Sequence, residues 1–551
     1  MYIARIPTYT STGKLSHTAI LLRRSYREKG KSKTETIGNL NHCSEAEIQA
    51  IEWALKHKGK IPEDEQAKIV RKIFKSFGAV YLVKEIMKKL SIDKVLGQTL
   101  DGKLAQLQII SRTINQGSCL STVRIAESSQ ALCEVLEIEE RISEDELYKN
   151  LSWLTHNQRS IERKLYKNRY KDKSPEIFLY DVTSSYFEGT HNALADWGYN
   201  RDKKKGKMQL VAGLLCDEEG YPIAIRLFEG NTLDFLTVHE QVKQMAEEFG
   251  CRRVTFVGDR GMLKSKQIEE LETNDFYYIT AITKPQMETL LKESVLQMCL
   301  FDKEIKEVEH EGVRYILKRN PQRAEELKRN REQKKLKLEE LLIKKNQYLK
   351  EHKKAKAEKA LKAIDEKIKK LKMESWIRVE QSHANERELI ISENTETLEN
   401  ESKFDGCYVI KSNLPKEVSK EVIHNRYKDL SKVESAFKSM KTEELELRPW
   451  YVQTEDSTRG HALIVMLSFM IIKYLKEAWQ DLDITVNEGL KLLDNLTLLE
   501  VKVNGEGKYF EVPEPSEMME TLLKATDVTL PELIPYRKAN VSSRKKLLRR
   551  A

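Results

Sequence analysis

The sequence predicts an α/β core that is interrupted by a mainly helical, coiled-coil-containing insertion. A small N-terminal β-sheet and a helical domain precede this core, and a helical region follows it. Three observations predict this fold class. Strand and helix patterns alternate between residues 172 and 284, a glycine-free stretch rich in Lys, Glu, Leu and Ala runs from about Asn320 to Glu374, and strand character resumes in "DGCYVIKSN" at Asp405. Such alternation is typical of helices that pack on a sheet.

The length of 551 residues exceeds what one hydrophobic core normally organises, so we expect several domains. The sequence divides into 1–43, a small β region; 44–171, a helical and predicted DNA-binding domain; 172–284, the first part of the core; 285–405, the insertion with a helical hairpin; 406–480, the second part of the core; and 481–551, a helical C-terminal region with a basic tail.

The composition argues for a charged, intracellular protein. Charged residues make up 33% of the chain and the net charge is +9, which weakly favours a polyanionic partner. No uninterrupted run of 18 apolar residues occurs, so we expect no membrane partner. The seven cysteines form no Cys-x-x-Cys pair, which favours a reducing compartment and disfavours a zinc site.

The first two regions differ in their periodicity. "HTAILLRRSYRE" and "KTETIGNL" have the character of short strands, which predicts the N-terminal sheet. Segments such as "AEIQAIEWALKHK" and "AQLQIISRTINQ" have helical periodicity. Lys and Arg recur along these helices, which suits DNA binding, although such faces are often only solvated surface.

In the core, apolar strands are followed by acidic residues. Asp181 follows "IFLY" and Asp259 follows "VTFVG". A carboxylate beside an apolar strand is costly unless it meets a cation or hydrogen-bond donors. Later, Glu434 borders the apolar face of a predicted helix, in line with Tyr427 and Lys441. Three carboxylates at one sheet edge would form an oxygen site suited to Mg²⁺, or to Mn²⁺ in its place.

Simpler interpretations of these residues stay open at this point. Ser431 and Glu434 have the spacing of a capping box, in which case the helix would begin at Ser431. Asp259 in "GDRG" could be a turn aspartate, and Asp181 could cap a turn before Thr183. Lys441 could be an ordinary surface lysine on the same helix face as Glu434.

The insertion has a seam of apolar residues. Ala357, Leu361, Ile364, Ile368 and Leu371 alternate at spacings of four and three, as in a coiled coil. In the first half of the stretch, apolar residues follow this spacing less regularly. We therefore expect a helical hairpin that projects from the core without a globule of its own.

Four stretches together resemble the DDE transposases of bacterial insertion sequences, in particular the group with a Tyr-x2-Arg-x3-Glu-x6-Lys signature. These stretches are "YDVTSSYFEG", "VGDRGM", "YKDLSKVESAFKSMK" and "LRPWYVQTEDSTRGHALIVMLSFMI". The opening "GKLSHTAILLRRSYREKGKSKTETIGNL" also resembles the N-terminus of one transposase subgroup. The resemblance covers most of the chain and implies a ribonuclease-H-like catalytic core that is interrupted before the glutamate helix.

The resemblance assigns roles residue by residue. Asp181, Asp259 and Glu434 match the catalytic, metal-binding acids, and Tyr427 and Lys441 match the signature Tyr and Lys. The signature Arg falls at Leu430, so its contact with the DNA end is missing here or is made by Arg426 or Lys432.

Two basic clusters are candidates for DNA-phosphate contacts. The first is "NRDKKKGK", with Lys203, Lys204, Lys205 and Lys207, and the second is the tail Arg544–Arg550.

The implied activity is metal-dependent cleavage at the ends of the element, followed by attack of the freed 3′-hydroxyl on target DNA. The implied partner is double-stranded DNA, both the terminal inverted repeats and the target. A homodimer in the synaptic complex and a bacterial cytoplasmic, nucleoid-associated location also follow from the resemblance. Two alternatives are a ribonuclease-H-like nuclease or resolvase that cuts without joining, and a catalytically inactive DNA-binding scaffold.

Overall fold

The computed structural model describes most of the chain, in two compact units that are treated separately below. The described residues are 1–9, 15–28, 30–57, 69–140, 142–171, 175–189, 191–199, 201–202, 204–302, 304–383, 385–442, 445, 447, 450, 452–503 and 507–535. The first unit is built from described parts of Met1–Ile73 and Leu499–Glu511 and from the strand Leu533–Pro535. The second is built from Phe74–Leu498 and Val512–Glu532.

The N-terminal region forms the small sheet that the sequence predicts. Its three antiparallel strands are β1 (Tyr2–Tyr9), β2 (Leu15–Glu28) and β3 (Lys31–Asn39), in the order β1-β2-β3. Helix α1 (Glu45–His57) follows them.

A second sheet corrects two of the sequence-based predictions. It contains β4 (Ile69–Ser76), β15 (Thr497–Val503), β16 (Gly507–Glu511) and β17 (Leu533–Pro535), in the order β17-β16-β15-β4. Region 44–171 is therefore not wholly helical, and region 481–551 contains strands as well as helices. The missed signal is the alternation in "LLEVKVNGEGKYFEV", whose Asn-Gly pair is typical of a hairpin.

The helical part of the second unit packs around one long apolar helix. Before the large sheet lie α2 (Gly78–Lys89), α3 (Ile92–Leu96), α4 (Leu100–Asn115), α5 (Cys119–Ser128), α6 (Leu132–Leu136) and α7 (Glu144–Tyr170). A capping box of Ser143 and Glu146 starts α7. Both α4 and α7 pack on α16 (Glu455–Ala478). Helix α16 has the length and hydropathy of a membrane span, but 78% of its apolar window is buried inside the protein, as in the core helix of a soluble protein.

An eight-stranded mixed sheet forms the centre of the second unit. Its strands are β5 (Ile177–Tyr186), β6 (Gln209–Asp217), β7 (Pro222–Phe228), β8 (Thr255–Gly258), β9 (Tyr277–Ala281), β10 (Lys306–His310), β11 (Val313–Arg319) and β14 (Cys407–Ser412). Their order is β10-β11-β14-β9-β8-β5-β6-β7. The pairs β5–β8 and β8–β9 are parallel, and the other pairs are antiparallel.

Short helices connect these strands. They are a 3₁₀ turn Asp234–Thr237, α8 (Val238–Lys243) with a π segment Gln244–Glu248, α9 (Ser265–Thr273), α10 (Lys284–Lys292) and a 3₁₀ turn Met298–Leu300. One face of the sheet buries the aromatic rings of Phe178, Tyr180, Phe256 and Tyr278.

The predicted insertion boundary at 285 is corrected by β10 and β11, which extend the large sheet. The chain leaves the sheet only after β11, as α11 (Pro321–Glu351), α12 (Ala357–Leu371), the antiparallel pair β12 (Ile377–Gln381) and β13 (Leu389–Glu393), and α13 (Thr395–Ser402). Helices α11 and α12 pack on each other.

The segment also has a core of its own, contrary to expectation. Leu349 and Ile364 of the two helices are buried with Trp376, Ile377 and Leu389 beside them. The added strands therefore supply the apolar surface that the helical seam lacks.

The remaining helices are α14 (Lys420–Lys428), α15 (Leu430–Lys441), α17 (Val486–Asp494) and α18 (Glu517–Ala525). The capping box considered for Ser431 is not formed, because α15 begins at Leu430 after Asp429 and has no side-chain cap. Its buried face is formed by Leu430, Val433, Ala436, Phe437, Ser439 and Met440.

The contact between α16 and α7 provides a test of the packing. A Cβ added at Gly460 would lie 2.1 Å from the backbone oxygen of Leu151. We expect Gly460→Ala to destabilise the unit by roughly 1–3 kcal/mol, because backbone cannot yield as a side chain does. Thermal unfolding should show a lower midpoint. Gly38→Ala is the matched control, since its Cβ would meet nothing within 4 Å. An unchanged or raised midpoint for Gly460→Ala would contradict the close helix contact.

Candidate active site

Asp181 and Asp259 are brought together by one parallel strand pair. In the register of β5 and β8, Tyr180 lies opposite Gly258. Asp181 is the next residue within β5, and Asp259 is the first residue after β8. The two carboxylates therefore start from neighbouring backbone positions, one in the middle of β5 and the other at the carboxyl end of β8.

Glu434 approaches the two aspartates from a helix that packs on β5. Helix α15 contacts β5, and its apolar face is buried while Glu434 is exposed. Glu434 and Asp259 line one cavity of about 560 Å³, together with Tyr427. Its position at the border of the buried face is the one that the helical periodicity predicts.

The electrostatic setting of Asp181 reflects its burial first and the charges of the two other acids second. Burial raises the pKa of Asp181 to about 6, against a hydrogen bond from the Val182 backbone N–H and the charge of Arg201. The negative charges of Asp259 and Glu434 raise this pKa further. A bound cation would relieve both the burial cost and the repulsion.

Part of the expected metal geometry is not present. Among the residues that the structure describes, no three His, Cys, Asp or Glu side chains are gathered closely enough to hold a metal ion. Convergence of Asp181, Asp259 and Glu434 to ligand distances therefore stays a prediction. The chemistry of the donors still fits a hard divalent cation, because all three are carboxylates and one is buried beside like charges.

Tyr427 contacts one of the acids. Its hydroxyl donates a hydrogen bond to Oδ1 of Asp259 at 3.3 Å. Burial raises the pKa of Tyr427, and the charges of Asp259 and Glu434 raise it further, so the hydroxyl remains protonated and can donate. Tyr427 therefore orients Asp259, a contact that the sequence does not reveal.

Lys441 lies in a largely buried ion pair. Its ammonium donates to the backbone carbonyl of Ser184 in β5 and lies 3.5 Å from Oδ1 of Asp202. Only 10% of the Lys441 side chain is exposed. The other oxygen of Asp202 accepts the backbone N–H of Tyr186 at 3.1 Å. This geometry opposes a simple surface role for Lys441, and it identifies Asp202, which in the sequence is hidden among the lysines of the basic cluster.

The position of the signature Arg is structurally different here. Leu430 is buried in the core face of α15. Arg426 lies 3.8 Å from Asp429, and Lys432 donates to the carbonyl of Glu218 at 2.5 Å and pairs with Asp429 at 3.0 Å. Both substitute cations therefore hold local structure.

The cavity beside Asp259 has cationic residues that sequence reasoning missed. Arg260, Lys284, Arg323 and Lys428 all line it. Arg260 directly follows Asp259 in "GDRG", so its place in the sequence is the one signal that could have found it.

The basic cluster near residue 204 is only partly described. Lys204 lies 5.5 Å from the ring centroid of Tyr186, Lys205 is exposed, and Lys207 pairs with Glu188 at 2.5 Å. Lys203 and the tail Arg544–Arg550 lie outside the described residues.

The fold and the site define a mixed α/β protein with paired acids at a sheet edge, and comparison with known families identifies its class. Residues 172–471 match the family model described as the transposase DDE domain. Because that match covers more than half of the chain, the protein belongs to the DDE transposases of insertion sequences, as the sequence motifs predict. Residues 4–68 match the N-terminal domain of the IS1634 family of transposases.

Similar solved structures are remote. A piggyBac transposase synaptic complex with hairpin DNA matches 76% of this chain and 76% of its own, with 9% identity and a TM-score of 0.37. A Mos1 transposase paired-end complex with the left transposon end matches 30% of this chain and 58% of its own, with 15% identity and a TM-score of 0.15. No curated protein sequence matches the chain.

The ion pair of Lys441 and Asp202 provides a test of the site's framework. We expect Asp202→Asn to lower the free energy of unfolding by roughly 2–3 kcal/mol, because it removes a buried carboxylate that pairs with a largely buried ammonium. Urea unfolding of the purified protein measures this change. Glu188→Gln, which removes the more exposed pair with Lys207, is the control and should cost about 1 kcal/mol or less. Equal effects of the two substitutions would show that the buried pair has no special role.

Proposed function

We propose that the protein cleaves the ends of its insertion sequence and joins the freed 3′-hydroxyl ends to target DNA by two-metal-ion phosphodiester transfer. The observation that carries this proposal is the pairing of β5 and β8, which aligns Asp181 and Asp259, with Glu434 facing the cavity beside Asp259. The rest of the site is consistent with phosphate chemistry, since cationic side chains line that cavity.

We assign the strands β7-β6-β5-β8-β9 to a ribonuclease-H-like catalytic core. This part of the sheet has two antiparallel pairs followed by two parallel pairs, and it carries both aspartates. The segment from α11 to α13 is then an insertion between the core strands and the helix of Glu434.

Asp181, Asp259 and Glu434 would hold the divalent cations, Mg²⁺ or Mn²⁺. When bound, such a pair of ions activates a water and stabilises the leaving oxygen of a phosphodiester. The chain's own contributions are orientation and charge. Tyr427 fixes one oxygen of Asp259, and the burial of Asp181 makes an empty site electrostatically unfavourable at neutral pH.

The cationic residues bind the substrate in this proposal. Arg260 and Lys428, in the cavity, contact phosphates next to the reacting one, a role that the buried Leu430 cannot fill. Lys441 approaches the reacting phosphate from the end of β5 and exchanges its contact with Asp202 for that phosphate. The exposed Lys205 and its neighbours bind the backbone without reading sequence.

The partner is double-stranded DNA, both the terminal inverted repeats and the target. The helical region 44–171 supplies part of the end-binding surface, and a homodimer assembles the synaptic complex. The protein acts in the cytoplasm, at the nucleoid.

Substitution of the acids tests the proposal directly. We expect Asp181→Asn, Asp259→Asn and Glu434→Gln each to slow cleavage of a terminal-repeat duplex by roughly 10²–10³-fold or more while leaving DNA binding intact. Single-turnover cleavage with binding measured in parallel separates the two effects. Glu421→Gln, at an exposed position of α14, is the control and should cleave normally.

The same assay distinguishes the alternative functions. Cleavage without joining of the ends to target DNA would indicate a nuclease or resolvase. Binding with no metal-dependent cleavage by the unmodified protein would indicate a scaffold. Normal cleavage by Asp181→Asn or Asp259→Asn would refute the assignment of the acids.

Substitutions of Lys441 and of the basic cluster should separate effects on the cleavage rate from effects on DNA affinity. We expect Lys441→Ala to slow cleavage at saturating DNA more than it weakens binding, because its charge acts at the reacting phosphate. Replacing Lys204, Lys205 and Lys207 with alanine should weaken binding similarly across sequences. It should also reduce the slope of log affinity against log salt by roughly one unit per lost phosphate contact. If folded Lys441→Ala cleaves at the normal rate once saturated, the lysine only positions DNA.

A further inference from the structure

The connection between β5 and β6 exposes two large aromatic side chains. Trp197 is 62% exposed and Tyr199 is 85% exposed. Leu233 and Leu236, in the turn after β7, are also more than half exposed. These four residues are called the aromatic platform below. Apolar side chains grouped in this way on a protein surface mark an interaction site more often than isolated ones do.

The backbone beneath Trp197 is held firmly. Asp196 exchanges two backbone hydrogen bonds with Gln209 of β6, at 3.1 and 2.9 Å. Its Oδ1 accepts the backbone N–H of Trp197 at 2.6 Å, and its Oδ2 accepts the side-chain amide of Asn231 at 2.6 Å. The indole is therefore presented from an ordered scaffold, which lowers the entropy cost of binding a partner.

The two loops of the platform are joined at two further points. A Cβ added at Gly198 would lie 2.2 Å from the backbone oxygen of Gly230, so the two backbones touch directly. On the other side, Arg201 pairs with Asp234 at 2.6 Å, between Leu233 and Leu236. The four apolar side chains therefore belong to one surface.

The platform lies next to the strand of the catalytic acid Asp181. Ser184, three residues further along β5, donates to the carbonyl of Tyr199 at 3.3 Å and accepts the backbone N–H of Arg201 at 3.0 Å. This serine therefore ties Tyr199 to the end of β5, on the same strand as Asp181.

Cationic side chains lie beside the platform, with the acids Asp196 and Asp234 among them and Asp234 paired with Arg201. Arg201 and Lys204 follow it in the chain, with the exposed Lys205 next to them. Lys264, just before α9, lies 3.5 Å from the ring centroid of Phe235 in the turn after β7. Exposed aromatic rings beside cations are the chemistry that binds unpaired nucleic acid, with bases stacked on the rings and phosphates on the cations.

We propose that the aromatic platform binds unpaired DNA bases next to the catalytic acids. This proposal rests on the proposed function for its DNA substrate, but the platform itself makes no use of the metal-binding acids. Rigid exposed rings recognise bases through stacking, which fully paired bases inside a duplex cannot offer. The expected occupant is therefore the single-stranded DNA that strand separation near a cleavage site would expose.

The test measures the affinity of the full chain for two probes, an oligothymidylate and an arbitrary duplex of the same length. We expect the double variant Trp197→Ala, Tyr199→Ala to weaken binding of the oligothymidylate by about tenfold or more, since each lost ring removes a surface on which a base stacks. Duplex affinity should stay unchanged. The variant Trp197→Phe, Tyr199→Phe should keep most of the affinity, because its rings still stack.

The matched controls are Trp53→Ala and Tyr348→Ala, which remove exposed rings elsewhere in the chain. Neither should alter the preference between the two probes. Equal losses for both probes, or no loss for either, would overturn the proposal. So would loss of self-association by the double variant with unchanged oligothymidylate affinity, which would indicate a contact between copies. Because binding is measured without metal, failure here leaves the cleavage test of the acids independent.

Discussion

The parallel pairing of β5 with β8 is the constraint on which the candidate site depends. It fixes Asp181 and Asp259 at neighbouring positions, whatever their side chains do. The surrounding strands hold this pair in place, since β6 and β9 continue the sheet on either side. Burial then disfavours the charged form of the Asp181 carboxyl. A carboxylate with its pKa raised to about 6 beside two other acids is in an environment that favours a bound cation. The fold therefore buries the carboxylate of Asp181 beside two other negative charges, which is unfavourable without a cation. The proposed metal-dependent chemistry supplies that cation.

Helix α15 carries both Glu434, beside the cavity, and Lys441, beside Ser184 of β5. Its apolar face packs on β5, so Glu434 and Lys441 keep fixed positions relative to Asp181. Lys441 is held by Asp202 and by the carbonyl of Ser184, and Ser184 also supports the aromatic platform through Tyr199. The same short part of β5 therefore connects the acid, the signature lysine and the exposed rings.

Features of this arrangement that depend on local periodicity can be predicted from the sequence. Features that depend on contacts between distant segments cannot. The acids that follow the apolar runs "IFLY" and "VTFVG", and the helical spacing of Glu434 and Lys441, depend on local periodicity, which a sequence displays directly. Two details of that prediction are wrong, because β5 continues past Asp181 to Tyr186 and Tyr427 lies on the preceding helix, α14. The strands β10 and β11 were missed because a charged hairpin resembles surface, although it pairs with β14. The contacts of Asp202 and Arg260 depend on the tertiary fold. Asp202 does not differ in sequence from an ordinary surface charge, and only its place next to Asp259 distinguishes Arg260.

In the proposed site, three carboxylates from two strands and a helix share a divalent cation. The most direct measurement is anomalous diffraction from crystals of the protein soaked in Mn²⁺. We expect an anomalous peak at ligand distance from carboxylate oxygens of both Asp181 and Asp259, with Glu434 turned toward it. Mn²⁺ bound elsewhere in the protein, with no peak between the two aspartates, would contradict it.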